Sequence, residues 1–143
     1  MTGLDPQIIK DRAREIQENI QKVQQYAAFF DEDFFADERN LYTVMHLMLI
    51  AIETAAALCS HILAKTARRA PINYAECFEG LRTLHGVDDE LVSRLIRMAR
   101  FRNMLVHRYW QVDSGQVLRL ARENVSDFET YLQAVAEIAG LPV

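Results

Sequence analysis

The stretch from Val44 to Leu63 is apolar on nearly every side of a helical projection. A helix with no polar face has to be surrounded by other elements, so it belongs at the centre of a bundle. It is the middle of a longer helical segment, from about Glu38 to Ala67, that Pro71 prevents from continuing. The rest of the chain supplies the surround. Ile9, Ala13, Ile16, Ile20, Val23, Ala27 and Phe30 recur in steps of four and three, a single apolar seam about six turns long. Its opposite face is Lys10, Arg14, Gln17, Gln21 and Gln25. With only 5 Gly and 3 Pro, no alternating strand pattern and no internal repeat, the chain reads as all-α.

Helix boundaries are marked locally. Asp5-Pro6 is a start, with Pro at the first helical position. The acidic-aromatic stretch Asp31 to Asp37 breaks the first pattern. Asn73 with Glu76 three residues on resembles a capping box and opens a short helix through Leu84, closed by His85-Gly86. Asp88-Asp89-Glu90 puts acids at the start of a fourth helix, which ends near Asp113-Ser114-Gly115. A fifth runs from about Gln116 to Ala139, with Val117, Leu120, Phe128, Leu132, Val135 and Ile138 as its apolar set, before Gly140 and Pro142. The expectation is a single domain, residues 1–143, folded as an up-down bundle of about five helices. No uninterrupted apolar run looks long enough to span a bilayer, and the polar start Met1 to Lys10 is not a signal peptide. Cys59 and Cys77 lack metal spacing and read as reduced thiols of a cytoplasmic protein. His46, His61 and His85 also share no metal-ligand spacing and read as surface or boundary residues.

The fourth helix carries polar groups where apolar ones are expected. One stripe runs Leu91, Leu95, Met98, Arg102, Leu105, Tyr109, and its neighbour runs Val92, Ile96, Ala99, Asn103, Val106, Trp110, with His107 beside it. Buried polar groups cost free energy unless paired, so these mark an internal network or a site. Charge sharpens the contrast. The chain carries a net charge of -4, yet between Glu90 and Asp113 there is no acid, while Arg94, Arg97, Arg100, Arg102 and Arg108 fall there. A cationic element on an acidic protein suits an anionic ligand such as phosphate, although arginines on an outer face also serve simply as solvated charges.

These residue types can cleave RNA without a metal, by attack of a 2′-hydroxyl on the adjacent phosphate. His107 is suited to be general base or acid. Arg102, permanently charged and forked, suits the phosphorane charge. Asn103, four residues before His107, can orient the imidazole or the phosphate. Five residues separate Arg102 from His107, about 140° around an ideal helix, so the two do not converge unless the helix bends or ends, or a second copy completes the site.

The string Arg102-Asn103-x-Leu105-Val106-His107-x-Tyr109-Trp110 resembles the signature of HepT-like toxin ribonucleases of the HEPN superfamily. Leu49-Ile50-Ala51-Ile52-Glu53 and the helical layout fit the same family over nearly the whole chain. The resemblance implies a HEPN-type bundle, a homodimer with motifs facing across the two-fold, and a metal-independent endoribonuclease without cofactor. It implies a toxin of a toxin–antitoxin pair whose partner, a minimal nucleotidyltransferase antitoxin, adenylylates Tyr109. Arg102 and His107 would be catalytic, with Asn103, Tyr109 and Glu53 supporting them or binding RNA. Other readings stay open. Arg102 can bridge core carbonyls or pair with Glu53, His107 can be a satisfied core histidine, Tyr109 can pack its ring with its hydroxyl at the rim, and Asn103 can join two helices. At the level of function, the alternatives are a non-catalytic HEPN module that binds nucleotide or a nucleotidyltransferase, and a structural helical dimer.

Overall fold

The computed structural model describes residues 3–68 and 70–142, and its elements are all helical. In chain order they are α1 (Pro6–Ala27), α2 (Asp31–Ala36), α3 (Glu38–Thr66), α4 (Tyr74–Glu79), α5 (Asp89–His107), α6 (Ser114–Glu123) and α7 (Ser126–Ala139). Short 3₁₀ turns follow α4 (Gly80–Thr83) and α5 (Tyr109–Gln111).

The starts are capped as their side chains dictate. Asp5, Asp37, Asn73, Asp88 and Asp113 each accept a hydrogen bond from a backbone N–H of the turn that follows. Gly140 closes α7 in the left-handed conformation, at φ 68°. Gly80 is favoured for a different reason. A Cβ there would lie 2.6 Å from Leu63 Cδ1, so any larger residue would push the Leu63 side chain aside where the turn after α4 presses onto α3.

α3 is the central element. It packs against α1, α2, α4, α5 and α6, and Ile52, Leu58, Ile62 and Leu63 are fully buried along it. It is also long and apolar enough to cross a membrane by length and composition, contrary to the sequence expectation. Its burial among the other helices identifies it instead as a core helix. Tyr131 of α7, fully buried, donates its hydroxyl to the Ala55 carbonyl of α3 at 2.9 Å. Removal from water holds that phenol in its neutral form. Cys59 and Cys77 are free and buried, and the Cys59 thiol donates to the Cys77 carbonyl at 3.1 Å.

Three sequence expectations are corrected. The α1 seam stops at Ala27, and Phe30 is 82% exposed. Arg122 of α6 holds the chain in its turn there, donating to the carbonyls of Ala27 and Phe29 and pairing with Asp31. Asp31 to Ala36 is a helix rather than a break, anchored by fully buried Phe34 with three acids in its first turn. The expected fifth helix is two helices. They part at Asn124–Val125, which sends α6 across α1 and α3 and α7 across α1 and α5. Among the described residues, seven α-helices therefore stand where about five were expected.

Candidate functional site

α5 delivers the polar groups, and its own end decides how. Helical geometry runs only to His107. Arg108 leaves it at φ -139°, ψ 41°, and Tyr109 begins the 3₁₀ turn. The expected continuous stripe from Arg102 to Tyr109 is thereby cut, and Tyr109 is not one helical heptad from Arg102. Arg102 and Asn103 are held among the helices, whereas Val106, His107 and the turn that follows stand in solvent.

Arg102 is the held group, its side chain 16% exposed. Its Nη2 and Nε donate to one oxygen of Glu53, Oε2, at 2.8 and 3.2 Å. Its Nη1 donates to Asn103 Oδ1 at 3.2 Å. The guanidinium carbon lies 4.4 Å from the centroid of the Tyr74 ring, within cation–π range. The Tyr74 hydroxyl reaches the same Glu53 oxygen at 3.5 Å. Three helices thus fix one cation. A guanidinium has five N–H groups. Three are engaged here, which leaves one on each terminal nitrogen, the arrangement that accepts two oxygens of a phosphate.

His107, in the last turn of α5, is exposed. Tyr109 and Trp110 are 65% and 68% exposed and meet edge to face, with ring centroids 5.3 Å apart. Val106, in the last turn of α5, is also exposed. The structure therefore brings Arg102, Asn103 and Glu53 into one network, and leaves His107 and Tyr109 outside it. Tyr74 joins the network without having been marked in the sequence. Asn73 caps α4 and so sets Tyr74 at the first helical position, but nothing local aims its ring at a residue of α5.

A capped all-helical bundle with an arginine–carboxylate–aromatic cluster beside an exposed histidine defines a class. Residues 16–135 match the family described as ribonuclease HepT-like, and the chain belongs to that family. Among curated relatives it is similar to the tRNA nuclease HepT of Aphanizomenon flos-aquae, 25% identical over 136 residues, spanning 94% of this chain and 92% of the relative. Its fold is that of the tri-AMPylated HEPN toxin of Shewanella oneidensis solved with its MNT antitoxin, at TM-score 0.83 and 21% identity, covering 91% of this chain and 97% of that one. The cytosolic protein YutE of Bacillus subtilis, of unknown function, shares the fold at TM-score 0.77 and 19% identity, covering 100% and 98%.

Proposed function

We propose that this protein is a metal-independent endoribonuclease, the toxin of a toxin–antitoxin pair, acting in the cytoplasm as a homodimer. The observation that carries the reading is Arg102, fixed from three helices with two N–H groups open, close to a helix end that exposes His107. In the reaction the substrate 2′-oxygen bonds to phosphorus as the bond to the 5′-oxygen breaks. His107 takes the 2′-hydroxyl proton, or gives a proton to the departing 5′-oxygen. The open N–H groups of Arg102 receive the charge that builds on the non-bridging oxygens. Asn103 and Glu53 keep the guanidinium aimed. The single motif histidine of one chain cannot be acid and base in the same step, and a second protomer supplies the other.

Tyr109 is the acceptor through which the antitoxin acts. Its hydroxyl oxygen attacks the α-phosphorus of ATP on a minimal nucleotidyltransferase, pyrophosphate leaves, and the AMP retained on the tyrosine brings negative charge to an RNA-binding tip.

The test is cleavage of labelled transfer RNA with EDTA present. Wild type is expected to cut and to leave 2′,3′-cyclic phosphate ends, and His107→Ala to lose roughly 10²- to 10⁴-fold with its circular dichroism unchanged. A requirement for Mg²⁺, or full activity without His107, overturns the mechanism. Intact mass after co-expression with the antitoxin tests the second part: wild type gains AMP and Tyr109→Phe gains none, whereas equal gains on both reject the assignment.

A further inference from the structure

On the side of α5 that faces α6 lies a groove of about 380 Å³, within the usual range for small-ligand sites. Its floor is Met48 of α3 with Met98, Phe101 and Met104 of α5. Arg97 and Arg100 stand at its edge, both exposed. Neither makes an ion pair with a described residue, whereas Arg94 at the far end is taken up by Glu90 and Asp127. No acid lines the groove, on a chain whose net charge is -4. Gln116 and Leu120 of α6 complete it, with Asn124 just past the end of α6, whose amide donates to Asp127 at 3.4 Å.

These features specify different parts of one ligand. Two uncommitted guanidiniums on an acidic protein call for phosphate. Thioethers and a phenyl ring form a polarizable floor that suits a flat ring system. The carboxamide of Gln116 donates and accepts on one group, which matches the edge of a nucleobase. A fatty anion would leave the Gln116 amide unused, and an acidic peptide would leave the floor unfilled. Met104 lies three residues before His107, so one end of the groove is within a helical turn of the candidate site along α5.

We infer that this groove is a nucleotide subsite. It seats one base of the RNA on Met98, Phe101 and Met104, with the adjoining phosphate on Arg97 and Arg100, at a position next to the cleaved bond. The inference rests on the ribonuclease reading and adds to it the surface that grips the strand.

The experiment uses full-length protein carrying His107→Ala, so that RNA stays intact, and short single-stranded RNA holding one 4-thiouridine. Irradiation is expected to crosslink the base to Met98, Phe101 or Met104, read by mass spectrometry of the peptides. Adding Arg97→Ala and Arg100→Ala should weaken RNA binding by roughly ten-fold or more and lower the dependence of log affinity on log salt by about 0.7 for each lost phosphate contact. Gln116→Ala, at a partly exposed position, should alter preference among the four bases while leaving the salt dependence in place. Crosslinks confined to other surfaces, or an unchanged salt slope in the double variant, overturn the subsite even where wild type cleaves RNA normally. A double variant that becomes monomeric by light scattering overturns it too, because the groove is then an interface between copies. Wild type that neither binds nor cleaves RNA rejects the ribonuclease reading itself.

Discussion

Two arginines on α5, Arg94 and Arg102, each pair with a carboxylate on another helix, and the two pairs are built in opposite senses. At Arg94 the acid is buried: the Asp127 side chain is 6% exposed and the guanidinium 41%. At Arg102 the cation is the less exposed partner: 16% exposed, against 37% for Glu53. Arg94 serves Asp127. It reaches across from the surface and neutralises a charge that α7 has carried inside, while Glu90 at 2.9 Å holds its other end. Glu53 serves Arg102, holding the guanidinium over the Tyr74 ring. The same residue type on the same helix stabilises the fold in one place and presents a cation in the other. What separates the two is which partner is denied water.

The comparison breaks most visibly on catalysis. Arg102→Ala is expected to lower RNA cleavage by roughly 10²- to 10³-fold, the scale of removing one donor to a developing charge. Its melting temperature should fall less than that of Arg94→Ala, because Glu53 is open enough to hydrate once its partner is gone. An Arg102→Ala protein that melts much lower but cleaves normally would make the two pairs equivalent and end the distinction.

Arg94→Ala is the converse experiment. It strands Asp127, whose remaining side-chain contact is a 3.4 Å hydrogen bond from Asn124, so stability should fall by about 1–3 kcal/mol. For a chain of this size that is roughly 2–4 °C of melting temperature per kcal/mol. The denaturant midpoint checks it. Arg94→Ala combined with Asp127→Asn should recover part of the loss, since the amide carries no charge to strand.

Glu53 comes next. Glu53→Ala should reduce cleavage by about ten-fold, the order expected when a hydrogen bond to a charged group is removed. Glu53→Gln should lose less, because an amide oxygen still accepts from Nε and Nη2. Equal activity for wild type and Glu53→Ala would show that the pair aims nothing.

The smallest effect is at Tyr74. Replacement by Leu removes the ring under the guanidinium and should lower cleavage by a few fold, in line with about 0.5–1 kcal/mol for a partly exposed cation–π contact. Tyr74→Phe keeps the ring, loses only the long 3.5 Å contact to Glu53, and should stay near wild type. If Phe is as poor as Leu, the hydroxyl and not the ring face is what holds Arg102.

Helix starts were legible because a cap and its recipient lie two or three residues apart: Asp5 with Gln7, Asn73 with Glu76, Asp88 with Glu90. The end of α5 at His107 was not. Its motif continues the apolar spacing through Tyr109 and Trp110, and periodicity alone cannot tell a helix from the chain just past its end. The same pattern hid the turn at Asn124. The Glu53–Arg102 pair was one of several readings, because local spacing offers an arginine every carboxylate on the molecule.

By itself the sequence determined that the chain is helical, that α3 lies at the centre, and where most helices begin. It also carried the motif string that resembles HepT-like ribonucleases. Those properties depend on residues within one or two turns of each other, and on one segment being apolar all round. Only the tertiary structure decided which member of each ion pair is the less exposed, that Tyr74 lies under Arg102, and that His107, Tyr109 and Trp110 are released into solvent. Glu53 and Arg102 are 49 residues apart, and Arg94 and Asp127 are 33 apart. Partners at those separations are chosen by how the helices pack, and burial then sets the role of each charge.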